Sequence, residues 1–191
     1  MKKRLITPNL ADSTVTYLSY YESPLGRITL TSSGEALTGL WFEQQRHPAK
    51  ILTTRQEEKE LPVFTTTKRW LDLYFAGKNP DFTPPLILQG TPFRQTVGKL
   101  LLTIPYGQTT TYGALAEQMA KLYGLKKMSA QAVGGAVGYN PISIIVPCHR
   151  VVGANGSLTG YGGGIKRKVQ LLQLEKVDMT HLFIPKKGTA L

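Results

Sequence analysis

The chain has 191 residues and a mass of 21.1 kDa, and its 41% hydrophobic residues can build one large core or two small ones. No stretch approaches the roughly 20 apolar residues that cross a bilayer, and the basic start Met1-Lys2-Lys3-Arg4 is not followed by a leader's apolar segment, so a cytoplasmic location without membrane attachment is expected. The net charge of +11 is lopsided: residues 1–85 carry 11 Lys and Arg against 9 Asp and Glu, while residues 86–191 carry 12 against 3, an excess that fits nucleic acid somewhat better than mere solubility or an anionic membrane surface.

In chain order, Thr14 to Tyr21 is rich in β-branched and aromatic residues and predicts a strand. Ser23-Pro24-Leu25-Gly26 predicts a turn, and Arg27 to Ser32 the returning strand of a hairpin. A third strand is expected over Ala36 to Glu43, then a charged segment through Glu60. Leu61 to Ala76 reads as a helix with Trp70, Leu73 and Tyr74 on its apolar side, stopped by Gly77. The run Asn79-Pro80-Asp81-Phe82-Thr83-Pro84-Pro85 denies both helix and central strand, which places a domain boundary there: 1–85 and 86–191.

The second half opens with Thr91 as N-cap and Pro92 at the first helical position, leading Phe93, Val97, Leu100, Leu101 and Ile104 at helical spacing. A second helix is expected from Tyr112 to Tyr123, ended by Gly124. After the basic turn with Lys126 and Lys127, Ser129 caps a third helix through Tyr139, made almost entirely of small residues. Two short helices across a tight basic turn predict a helix-turn-helix. Small residues at Gly134 and Gly135 allow close approach, either to another helix in the core or to a ligand surface.

Cys148, in Pro147-Cys148-His149-Arg150-Val151-Val152, is the only cysteine, which excludes an internal disulfide and multi-cysteine zinc sites. His47, His149 and His181 are scattered, so no metal cluster is visible. A lone cysteine is either an inert filler or a nucleophile tuned by its neighbours; His149 beside it and Arg150 after it favour the second. Gly160-Tyr161-Gly162-Gly163-Gly164 lacks the Gly-Lys-Ser/Thr ending of a triphosphate loop.

Together, Ile104-Pro105-Tyr106-Gly107 with Tyr112, Ala132-Val133-Gly134-Gly135-Ala136, Asn140-Pro141, Pro147-Cys148-His149-Arg150-Val151-Val152, Gly160 to Gly164 and Leu171-Leu172-Gln173-Leu174-Glu175 resemble the O6-alkylguanine-DNA alkyltransferase family over about residues 91 to 176. The resemblance implies an α+β fold: a ribonuclease-H-like, β-rich amino-terminal domain and a helical, winged-helix-like carboxy-terminal domain with the helix-turn-helix. It implies irreversible transfer of an alkyl group from O6 of guanine, with O4-alkylthymine as a second substrate, to Cys148, once per protein and without a cofactor or metal. His149, reached from the thiol through a water, serves as base, Glu175 orients it, Tyr112 donates a proton to the leaving guanine, and Asn140 ties the third helix to the cysteine loop. Adjacent residues of a strand point to opposite faces, so this requires a local turn after Pro147.

The partner implied is double-stranded DNA bound by a monomer through its minor groove, with the damaged nucleotide flipped out. Ala130, Gln131, Ala132 and Gly134 of the third helix are the expected contacts, with charge from Arg94, Lys126, Lys127, Arg150 and the run Lys166 to Lys168. Tyr161, Gly162, Gly163 and Val151 are expected to line the base pocket. Where the family carries an arginine before Ala-Val-Gly-Gly, this chain has Gln131. A DNA-binding sensor without repair and a cysteine hydrolase are the competing readings.

Overall fold

The computed structural model describes residues 15–43, 45 and 55–186. Thr14, His47 and the charged stretch at 46–54 lie outside the described residues. Two compact units part between Gln89 and Gly90. That is four residues beyond the expected boundary, because the chain after the prolines is still tied to the first unit. Leu37 N donates to Pro85 O at 2.9 Å, Ile87 N donates to Leu37 O at 2.9 Å, and Leu86 and Ile87 are buried.

In the first unit, β1 (Val15–Ser23), β2 (Gly26–Ser32), β3 (Leu37–Phe42) and β4 (Arg55–Glu58) form a sheet in the order β3-β2-β1-β4. The β1–β2 hairpin closes with Ser23 opposite Gly26, whose φ of 111° explains the glycine, and Ser23 Oγ donates to Gly26 O at 2.6 Å. β4 runs parallel to β1. The sequence predicts no strand in the charged segment, since four exposed polar residues carry no alternation. Helix α1 (Pro62–Phe75) packs across β1, β2 and β3 and buries Val63, Phe64, Thr67, Trp70, Leu71 and Tyr74, its helical stripe.

The second unit is helical: α2 (Pro92–Leu101), α3 (Tyr112–Leu122), α4 (Ala130–Gly138) and α5 (Ile165–Leu174). Each of the first three starts on a hydroxyl cap: Thr91 Oγ1 accepts from Arg94 N, Thr111 Oγ1 from Ala114 N and Ser129 Oγ from Ala132 N. Such a cap contributes about 1 kcal/mol. β5 (Thr110–Thr111) pairs in parallel with β6 (Val151–Val152), which brings the start of α3 beside the segment that follows Cys148. Val97, Leu101, Leu115, Met119, Val133 and Val137 are buried helix faces, and Ile142, Ile144 and Val146 bury the segment before Cys148. No described helix is long and apolar enough to cross a membrane.

Candidate active site

Asn140 is the hub of the cysteine loop. Its Nδ2 lies 3.2 Å from Ile142 O, 2.8 Å from Val146 O and 3.1 Å from Cys148 Sγ, and its Oδ1 accepts from Ile142 N at 3.0 Å. To wrap that closely the loop turns twice within a few residues. Ser143 O accepts from Ile145 N across Ile144, a β-branched residue at φ 68°, and Val146 O accepts from Cys148 N across Pro147 at φ −82°, ψ 63°. These are γ-turns of opposite hand, the first strained by the side chain it carries.

Cys148–Arg150 then form a 3₁₀ turn. This is the local turn expected after Pro147, and its consequence is that Cys148, His149 and Arg150 are all buried instead of alternating between faces. His149 Nε2 lies 2.7 Å from Glu175 Oε1. Arg150 Nε donates to Glu175 Oε2 at 2.7 Å and Arg150 Nη2 to Oε1 at 2.9 Å, while Gly107 N donates to Oε2 at 3.2 Å. Glu175, capping the C-terminus of α5, thus accepts from three residues. A Cβ at Gly107 would stand 2.9 Å from Glu175 O, and its φ is 74°, which explains the glycine of Ile104-Pro105-Tyr106-Gly107. Arg150 Nη1 also donates to Ile104 O at 2.8 Å.

The charges follow from this packing. Burial pushes the Glu175 carboxyl up, but the hydrogen bonds from His149 and Arg150 and the guanidinium charge outweigh it and bring the pKa down to about 2. Burial pushes His149 down, further than Glu175 pulls it up, so the imidazole is neutral at pH 7. An ionised Glu175 takes the Nε2 proton as its hydrogen bond and leaves Nδ1 as the acceptor. Nδ1 is buried and has no hydrogen-bond partner among the described residues. Burial raises the Cys148 thiol, and the Asn140 amide and the Lys168 charge pull it back in part.

Tyr112, the first residue of α3, donates its hydroxyl to Thr159 O at 3.1 Å, and burial with the nearby Cys148 pushes its pKa up to about 12. A Cβ at Gly160 would meet that hydroxyl at 2.6 Å, and one at Gly134 would stand 3.5 Å from the ring. Gly134 therefore faces Tyr112 from α4. Tyr161 is buried with its ring edge toward His149, centroids 6.3 Å apart, and a Cβ at Gly163 would strike it at 2.6 Å. Gly162 is half-buried between them.

Three expected placements are corrected. Arg150 does not reach toward a phosphate; it is turned inward and its guanidinium is engaged by Glu175 and Ile104. Val151 has no exposed surface with which to line a pocket, and its carbonyl accepts from Lys168 Nζ at 2.6 Å. Lys168 itself, grouped with a surface basic run, is fully buried, and its Nζ also donates to Thr159 O at 2.7 Å. Burial lowers its pKa to about 8, opposed by Cys148. The signal for it lay in the spacing of Ile165, Lys168, Val169, Leu171 and Leu172, which puts position 168 on the inner stripe of α5.

The other residues expected at DNA are on the surface. Ala130, Gln131 and Ala132 are exposed on α4, and among the described residues no atom beyond the helix's own backbone lies within 4 Å of a Cβ built at Gly135 or Gly138, while Val133 and Val137 point inward. Arg94 is half-buried, its guanidinium 3.6 Å over the Tyr139 ring. Lys126 and Lys127 are exposed. Among the described residues no three or more His, Cys, Asp or Glu side chains gather as a metal site.

Comparison with known proteins gives the same picture for both units. Residues 92–177 match the family model "6-O-methylguanine DNA methyltransferase, DNA binding domain" and residues 16–88 match its "ribonuclease-like domain". The chain is 48% identical over 156 residues to the methylated-DNA–protein-cysteine methyltransferase of Mycobacterium bovis, covering 81% of this chain and 89% of that one. It is 42% identical over 165 residues to the Haemophilus influenzae protein of the same name, covering 86% and 88%. The crystal structure of Mycobacterium tuberculosis OGT in complex with DNA superposes with a TM-score of 0.71 at 44% identity, covering 85% of this chain and 92% of that one. With both units matched, and a buried His149, paired with Glu175, directly following the lone cysteine in the chain, the chain belongs to the 6-O-methylguanine DNA methyltransferase family.

Proposed function

We propose that this protein repairs DNA by moving the alkyl group of O6-alkylguanine irreversibly onto its own Cys148, with O4-alkylthymine as a second substrate. The observation that carries the reading is the buried Glu175–His149 pair at the residue next to Cys148: the carboxylate holds the Nε2 proton and leaves a buried Nδ1 able to accept one. The thiol proton passes to Nδ1, through a water in the family's pattern. Sγ then attacks the alkyl carbon; the S–C bond forms as the C–O6 bond breaks, and its electron pair stays with guanine. Tyr112 gives guanine its proton, and the Lys168 ammonium offsets the negative charge that develops near the thiol and the phenol. The thioether has no hydrolytic exit, so each chain acts once and needs no cofactor.

The damaged nucleotide reaches Cys148 by leaving the duplex, at a cost of a few kcal/mol that DNA contacts offset. The open face of α4, with Gln131, Ala132, Gly135 and Gly138, supports a minor-groove approach by a helix-turn-helix formed by α3 and α4, with Ala130 at the helix start and charge from Arg94, Lys126 and Lys127. Gly134 acts from behind, bringing α4 against Tyr112. The base lies against the glycine loop 160–164. The protein works as a cytoplasmic monomer, with domains at 1–85 and 86–191 apart from the short stretch to Gln89 that stays with the first unit.

The test is stoichiometric. Alkylated duplex in excess over protein should be repaired until one lesion per chain is consumed, and then no further. Continued turnover would support a hydrolase, and tight binding with no repair a sensor.

A further inference from the structure

At the end of α3 every residue from Lys121 to Lys127 is exposed, three of them large and apolar: Leu122 at 63%, Tyr123 at 45% and Leu125 at 53% relative exposure. Their presentation is fixed by the way the helix stops. Gly124, at φ 65°, sends its N–H to Lys121 O at 3.2 Å and Leu125 sends its own to Ala120 O at 2.9 Å, a Schellman ending. In that ending the residue after the glycine usually packs on the side chain three before the cap. Here that residue is the small, buried Ala120, so Leu125 stays in water. Tyr123 is braced by α2: its ring meets Phe93 edge-on at 6.2 Å and its hydroxyl lies 3.5 Å from Thr96 Oγ1. Lys121, Lys126 and Lys127 stand among these side chains and Lys99 is exposed in the last turn of α2. Glu117, one turn back on α3, is the only carboxylate between residues 90 and 174.

We propose that this corner is a second DNA contact, in which Leu122, Tyr123 and Leu125 seat on the deoxyribose faces between the phosphates that Lys126 and Lys127 neutralise. It extends the DNA reading given above and rests on it. Ammonium groups interleaved with apolar ones match a backbone in which phosphates alternate with sugars, and the corner runs directly into the Ser129 cap and the exposed Gln131 and Ala132 of α4. An apolar cluster held rigidly in water is costly unless a partner covers it.

The experiment is fluorescence anisotropy on a duplex carrying one O6-methylguanine, at several salt concentrations, with the parent chain and two variants whose folding is checked by thermal melting. Leu122→Ser/Tyr123→Ser/Leu125→Ser should bind roughly tenfold more weakly with the salt slope unchanged, because it removes apolar contact and no charge. Lys126→Gln/Lys127→Gln should lower that slope by about 2. A parent that binds normally beside a serine variant of equal affinity would overturn the proposal alone and leave the corner to a protein partner. A parent that binds no alkylated duplex would overturn it together with the reading on which it rests.

Discussion

The cysteine loop, residues 140–152, and helix α4 adjoin each other in one unit and are built by opposite rules. In the loop the polar groups face inward: the Asn140 amide and the Arg150 guanidinium are buried, as are the Glu175 carboxylate and the Lys168 ammonium of α5 that meet this segment, and all are bonded within the protein. On α4 the outer face is small and bare, with no side chain of the described residues packed on Gly135 or Gly138. The loop shows what it costs to hold a reactive group out of water. Burial raises the thiol and lowers the imidazole, and neighbours must offset both. The helix spends nothing on itself, because its partner completes it.

Changes in the buried half should have the largest effects. Cys148→Ala should abolish transfer while leaving DNA affinity intact, as read by repair of alkylated duplex beside a binding titration. Glu175→Gln should cost about 3 to 5 kcal/mol in urea unfolding, because it strands the Arg150 guanidinium in the interior without its carboxylate. The same residue sets the acid limit. Its pKa in the fold is about 2 against an ordinary 4.5, so the ionised form stabilises the fold, fully above pH 4.5 and progressively less as pH falls toward 2. That contribution is on the order of 3 kcal/mol at pH 7. His149, buried neutral, acts in the same direction below its ordinary 6.5. Glu175→Gln should therefore flatten the lower part of the acid unfolding curve.

Asn140→Ala removes the hydrogen bond that holds the thiol's pKa down, so the rise in single-turnover rate should move to higher pH, and the rate at pH 7 should fall by roughly a hundredfold. A lower rate with no movement of the pH profile would make Asn140 a scaffold only. The smallest effect belongs to the bare helix. Gln131→Arg adds length and charge at an exposed position, and should tighten binding to alkylated duplex by roughly two- to fivefold in an anisotropy titration, with a steeper salt dependence. Unchanged affinity and repair would remove Gln131 from the DNA contact.

Much of this was legible in the sequence where the signal is local. Thr91 with Pro92, and Ser129 before the small-residue helix, announce helix starts because capping depends on a few neighbouring atoms. The turn after Pro147 was required before it was seen, since an extended Cys148-His149 pair would face opposite ways. The features without a local signal depend on distant partners. β4 is a strand only because β1 lies alongside it, and nothing in Arg55–Glu58 alternates. Arg150 and Lys168 read as surface charges by residue type, and it is Glu175 and the carbonyls of Ile104, Val151 and Thr159 that make them interior ones. The γ-turn at Ile144 has no local signal, because β-branched residues rarely adopt positive φ, and it lies between Ile142 and Val146, both bonded to Asn140.

The most direct test of the account is to locate the transferred carbon. After reaction with a duplex carrying O6-methylguanine, digestion and tandem mass spectrometry should place one methyl group on the sulfur of Cys148, in step with the guanine restored. A repaired duplex beside an unmodified Cys148, or a methyl group on any other side chain, would contradict it.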